Sequence, residues 1–286
     1  MIAPNTVSSQ VLFSTARIVA KRNDGKSSTG TAFFFQFKFD ETRTIPVLIT
    51  NKHVISETKE GTFLLHLAEK DSTGKIIPSD ESGSITLGEF EKSWIQHPGG
   101  LDLCAMPIAQ LLEAANKAGK DIFYITFGEE ILPTAQVLDE LSAVEDITMV
   151  GYPIGLWDSV NNLPLFRRGI TASHPAVDFE REPVGLLDIA TFPGSSGSPV
   201  MLLNEGSFAT KGGLTVGNRL YLLGILYQYY YLKDDGIPAA SDIPSTDVTR
   251  APVQPAVHIG RYLKARELLE LKKEFIKLAS PPTPIK

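Results

Sequence analysis

Six short apolar runs occupy the first 110 residues, each about one strand long and each cut off by Gly, Asp, Ser or Pro. They read VLFSTARIVA, GTAFFFQFKF, IPVLITNKHVI, GTFLLHLAE, SITLGEF and LDLCAMPIA. β-branched and aromatic residues dominate them, which favours pleated strands over helices. Strands so short and so evenly spaced predict a closed antiparallel barrel.

A helical stretch follows at IAQLLEAANKAGK (108–120), then a connecting segment with an apolar piece at IFYITF. A second β-rich series runs through ITMVGYPIG, RRGITASHP, VGLLDIA, GSPVMLLN, RLYLLGILYQYYY and PAVHIG. The chain then turns helical in IGRYLKARELLELKKEFIKL, where Tyr262, Leu263, Leu268, Leu269, Phe275 and Ile276 are expected to share one face. The expected order is therefore an all-β pair of six-stranded antiparallel barrels, with residues 1–135 forming the first barrel, short helix and linker. Residues 136–286 form the second barrel and a C-terminal α-helix. Residues 232–255, rich in Asp, Pro and Ser, read as a long mobile loop.

The formal net charge of −6 leaves no basic footprint, so nucleic acid is not an expected partner. No apolar run approaches the roughly 18 residues of a membrane span, so no membrane partner is expected either. Cys104 is the only cysteine, which excludes an internal disulfide and fits a reducing compartment. With no secretory signal visible at the N-terminus, the expected location is cytoplasmic. His66, His97, His174 and His258 lie scattered without ligand spacing, so no metal or other cofactor is expected.

Three segments stand apart. His53 ends an apolar strand in ITNKHVI; Asp102 leads into another in GGLDLCAMPI; Ser196 sits in FPGSSGSPV, a turn too glycine-rich for an ordinary strand. Each feature alone has an ordinary structural explanation, such as a turn cap or a flexible loop. Their combination resembles the trypsin/chymotrypsin-like serine peptidases, and more closely the bacterial branch related to the HtrA proteases. The family's T-x-x-H-V/C segment is matched by Thr50, Asn51, Lys52, His53 and Val54. Its G-x-S-G-[GS]-P segment is matched by Gly194, Ser195, Ser196, Gly197, Ser198 and Pro199, while Asp102, Leu103 and Ala105 approximate its D-[apolar]-A strand start. The strands STGTAFFF, VGYPIG with RRGITAS, LLDIATFPGSSGSPV and LYLLGILYQ extend the likeness over roughly residues 10 to 278.

The resemblance implies the double-barrel fold and a serine endopeptidase acting on protein or peptide substrates. His53, Asp102 and Ser196 would be its triad, and the backbone amides of Gly194 and Ser196 its oxyanion hole. A serine hydroxyl is a poor nucleophile at neutral pH and needs a base in reach; an imidazole with an ordinary pKa near 6.5 meets that need. Ala190 falls where the family has the floor of its primary specificity pocket, and no acidic residue there argues against a preference for Arg or Lys. Tyr227, Gln228 and Tyr229 would form the pocket wall and the edge that pairs with substrate. Tyr229 replaces a commonly small residue. It either narrows the pocket, favouring Ala, Val, Ser or Thr, or obstructs it until the 232–255 segment moves.

The chain also departs from the family. Ser195 stands where digestive members carry the aspartate that pairs with a new N-terminus, so zymogen-style activation is not expected. The enzyme is then either assembled constitutively or controlled by a loop or a regulatory protein partner. No PDZ domain is expected after the terminal helix. The rival reading, from a different functional class, is a pseudoprotease that keeps the barrels as a partner-binding module.

Overall fold

A computed structural model of the chain describes residues 1–233, 237–243 and 256–279. In its C-terminal half six antiparallel strands close on themselves. Pro199–Asn204 pairs with Asp146–Gly151, followed by Leu165–Thr171, Val184–Asp188, Ala256–Lys264 and Arg219–Leu232, which pairs back to Pro199–Asn204. Closure leaves no bare sheet edge within the ring. In the N-terminal half the order is Ile76–Gly88, Thr58–Lys70, Thr15–Arg22, Ser27–Lys38, Thr44–Thr50, Cys104–Pro107 and Ile95–Gln96. The short strands Ile122–Phe123 and Phe127–Gly128 pair off this path. The chain is thus mostly β, with a closed six-stranded barrel in its second half and a C-terminal helix, the chymotrypsin-like architecture that the motif resemblance implies.

The continuous run of phenylalanines in Ser27–Lys38 shows why sequence alternation is muted there. Side chains alternate across a strand. Phe34 points into the first barrel and stacks on Tyr124, with ring centroids 4.9 Å apart. Phe33, Phe35 and Phe37 face the other way, into a cluster shared with Val150, Met201 and Leu263 of the second half. Both faces are therefore buried. The C-terminal helix Leu268–Ala279 seals this seam, with Phe275 5.6 Å from Phe37 and Lys272 paired to Glu129 at 2.7 Å.

Several expectations need correcting. Val11 and Leu12 belong to a short helix, Val7–Leu12, capped by Thr6, and the first strand starts only at Thr15. Tyr262 and Leu263 lie on the last barrel strand, so only Leu268, Leu271 and Phe275 form the buried helical stripe, while Leu269 is exposed. Within 232–255, Pro238–Asp242 is a strand, not loop; residues 234–236 and 244–255 of that segment lie outside the described residues. No described helix is long and apolar enough to cross a membrane.

His66 lies on Thr58–Lys70, buried edge-to-face against Phe13 at 4.8 Å. Burial pushes its pKa down to about 4, with a weaker opposing pull from the Asn162 backbone. The folded protein therefore refuses a proton that the unfolded chain accepts below about 6.5. Stability held at neutral pH should fall as pH drops from about 6.5 toward 4. The expected loss between pH 7.5 and 4.5 is about 2 to 3 kcal/mol. Denaturant melts at the two pH values measure it, and His66→Leu should remove that part of the slope.

Candidate active site

The strand Thr44–Thr50 ends at the seam between the barrels, and a single helical turn, Lys52–Ile55, carries His53 out of it. The residue enters that turn already anchored, because its own amide donates to Asp102 Oδ1 at 2.9 Å. Asn51, fully buried, donates through Nδ2 to the Asp102 carbonyl at 2.8 Å. Two bonds thus tie the histidine turn to the loop ahead of Cys104–Pro107. A third is the contact that matters chemically: His53 Nδ1 lies 2.5 Å from Asp102 Oδ2. An ionised carboxylate only accepts, so Nδ1 carries the proton and Nε2 is left as an acceptor. Nε2 lies 2.8 Å from Ser196 Oγ.

Ser196 comes from the other barrel, on a tight turn. Ser195 N donates to the Phe192 carbonyl at 3.0 Å, closing a turn with Pro193 and Gly194 at its centre. Gly194 has φ +85°, the left-handed value that a proline-glycine turn of this kind needs at its third residue. A side chain there would also meet the Tyr152 carbonyl at 2.6 Å. The Pro193 carbonyl accepts from the Ile154 amide. Because C=O and N–H point oppositely across a trans peptide, that bond turns the Gly194 N–H away from Ile154. Neither the Gly194 nor the Ser196 amide donates to any described residue.

Thr31, in the first barrel, straps this turn down. Its amide donates to the Ser196 carbonyl at 2.9 Å and its hydroxyl to the Gly194 carbonyl at 3.1 Å, while Tyr152 N donates to that hydroxyl at 3.2 Å. Thr50 Oγ1 in turn holds the Thr31 carbonyl at 2.7 Å. The barrels approach so closely here that a Cβ on Gly197, with φ +83°, would lie 2.0 Å from the Thr31 carbonyl. The strand STGTAFFF signals the first barrel in the sequence, but nothing in it marks Thr31 as the clamp on the nucleophile turn.

The remaining expected site residues are near but differently engaged. Ala190 is half-buried just beyond Val184–Asp188. Tyr227, Gln228 and Tyr229 lie along Arg219–Leu232, whose edge is taken by Pro238–Asp242 of the same chain. Cys104 is fully buried, and burial together with the nearby Asp102 charge pushes its thiol pKa up, as suits a core thiol. Asp242 brings a second carboxylate within 4.8 Å of the His53 ring and of Asp102.

A hydroxyl, an imidazole and a carboxylate in hydrogen-bonded series across two barrels form an arrangement able to activate an alcohol as a nucleophile. Residues 30–209, more than half of the chain, match the trypsin-like peptidase domain family. The chain belongs to that family. The matched span of this peptidase contains all three residues. No curated protein matches it by sequence. Among solved structures it is similar to the HtrA-type protease AlgW with a tripeptide, at 14% identity and TM-score 0.48, covering 95% of this chain and 63% of that one. Rv3671c from M. tuberculosis H37Rv, in an inactive mutant form, is 14% identical with TM-score 0.44, covering 98% and 95%. The serine endoprotease from Yersinia pestis is 12% identical with TM-score 0.42, covering 93% and 64%. The peptidase thus spans less than two thirds of the AlgW and Yersinia pestis chains.

Proposed function

We propose that this peptidase is a serine endopeptidase that cleaves peptide bonds through an acyl-enzyme intermediate. The observation that carries the reading is the series Asp102 Oδ2 to His53 Nδ1 at 2.5 Å and His53 Nε2 to Ser196 Oγ at 2.8 Å. His53 takes the hydroxyl proton as Ser196 attacks the substrate carbonyl, and returns it to the leaving amine. Asp102 holds the proton on Nδ1 and stabilises the imidazolium. The amides of Gly194 and Ser196 receive the oxyanion, as their lack of another partner among the described residues allows. No step calls for a metal or cofactor.

The absence of an acidic side chain at Ala190 and the bulk of Tyr229 support a preference for a small residue before the cut. The two halves divide at residues 135 and 136, a boundary that no described strand pairing crosses. We further assign the protein to a bacterial cytoplasm, on the single unpaired cysteine and the HtrA-like motifs. Control by a separate protein partner remains part of this reading, since the position before the nucleophile is Ser195 and not an activating aspartate.

One observation favours a second reading, a pseudoprotease that serves as a partner-binding module: Ser196 has 0% of its surface exposed. A fluorophosphonate probe separates the two. An active peptidase should take up one phosphonyl group per chain, at Ser196 by peptide mapping, and should cleave members of a peptide library. A pseudoprotease does neither, even on prolonged exposure.

A further inference from the structure

The backbone edge of Tyr227, Gln228 and Tyr229 is where an extended substrate is expected to add as a strand. That edge already carries a strand. Pro238–Asp242 runs antiparallel to it, with Gln228 opposite Asp242, Tyr229 opposite Ser241, Tyr230 opposite Ala240 and Tyr231 opposite Ala239. The ladder continues one residue further, where the Ile243 amide donates to the Tyr227 carbonyl at 3.2 Å. At that point the strand meets the nucleophile, because Ser196 Oγ donates to the Ile243 carbonyl at 3.3 Å.

Ile243 therefore stands where the residue before a scissile bond would stand. Its side chain is 1% exposed and belongs to the apolar cluster of Ile189 and Leu226, with Tyr229 packed against it. Asp242, one residue upstream, lies beside His53 and accepts from Gln228 Nε2 at 2.9 Å. One element of a productive complex is missing. The Ile243 carbonyl is held by the serine hydroxyl, and neither the Gly194 nor the Ser196 amide reaches it. The hydroxyl has one proton to give. His53 Nε2 at 2.8 Å and the Ile243 carbonyl at 3.3 Å compete for that proton, and the carbonyl lacks the paired amide donors that would stabilise an oxyanion.

Resting on the peptidase reading, we propose that residues 238–243 are a tethered substrate mimic. They hold the site closed in the resting protein, and they report its preference for extended peptides with a β-branched aliphatic residue before the cut and small residues upstream. A tethered ligand acts at an effective concentration near the millimolar range, so even a weak mimic excludes dilute substrate. Entry of a substrate then requires the strand to leave the Tyr227–Tyr229 edge.

The test compares wild type with Ile243→Ala, both confirmed folded by thermal melting, for the rate of fluorophosphonate labelling. Release of a millimolar internal competitor should raise the variant's rate about tenfold or more. The free peptide Pro-Ala-Ala-Ser-Asp-Ile should slow the variant competitively. Fluorogenic peptides ending in Ser-Asp-Ile should be cleaved at least about tenfold faster than the same peptides ending in Arg, as the one-pocket discrimination of similar groups allows. Should the variant fail to fold, hydrogen exchange on the wild type decides, because phosphonylation of Ser196 must displace the strand and speed exchange across 238–243. Equal labelling rates, or exchange unchanged by labelling, overturn the mimic while leaving the peptidase intact. Absence of labelling in both proteins overturns the peptidase reading and the mimic with it.

Discussion

Replacing Ser196 with alanine is expected to abolish fluorophosphonate labelling and to lower peptide turnover by about 10⁶-fold, to the level left by binding and the oxyanion donors alone. The size of the loss follows from what the hydroxyl does. In the proposed mechanism it forms the covalent bond to the substrate carbonyl, and without it His53 has no alcohol to deprotonate at 2.8 Å. The fold should survive. The turn around residue 196 is held by main-chain groups, the Thr31 amide on the Ser196 carbonyl and the Gly197 amide on the Leu226 carbonyl, and alanine keeps both. The comparison reads most clearly in the Ile243→Ala background, where the starting rate is higher. A residual turnover within tenfold of the parent would show that some other group attacks, and the triad assignment would fail.

The architecture was largely legible in the sequence because each barrel strand buries an apolar face, and the resulting runs survive without any knowledge of tertiary pairing. Where that signal is absent, the reading stops. The hairpin of Ser207–Thr210 and Gly213–Val216 is mostly exposed, so nothing in its composition sets it apart from loop. Pro238–Asp242 reads as loop from its Pro, Ser and Asp content, yet it becomes a strand because Gln228–Leu232 offers it a row of unpaired backbone groups. Propensity yields there to an available edge. Tyr262 and Leu263 fit a helical stripe on paper only because the stripe's true members begin five residues later, at Leu268.

The site divides along a similar line. His53, Asp102 and Ser196 were legible because the motifs around them are stretches of adjacent residues. Thr31 was not, since its value lies in three bonds to Ser196, Gly194 and Tyr152, residues more than a hundred positions away. Tyr227, Gln228 and Tyr229 were legible as an edge, but the occupant of that edge depends on how the chain returns after residue 233. Motifs report what a site can do. They carry no information on whether it is free to do it.

Asp102→Asn should cost about 10⁴-fold in turnover while leaving the geometry nearly unchanged, a loss out of proportion to the single atom exchanged. The carboxylate of Asp102 is bound twice by the histidine, at its amide through Oδ1 and at Nδ1 through Oδ2. An asparagine keeps its carbonyl oxygen for only one of these. If that oxygen stays on the His53 amide, the new NH₂ group faces Nδ1 and donates to it, so the ring proton moves to Nε2. Nε2 then meets the Ser196 hydroxyl as a donor, and the base that the reaction needs is gone. The alternative flip keeps the tautomer but sets two donors, the amide N–H of His53 and the asparagine NH₂, against each other. Alkaline pH offers a discriminating readout, because hydroxide competes with His53 for the serine proton. The variant's rate should climb steeply with hydroxide concentration, a dependence that the wild type, with its own base beside the serine, should not share. A variant with the parent's pH profile and less than about tenfold loss would mean that Asp102 only positions the histidine turn through its other bonds.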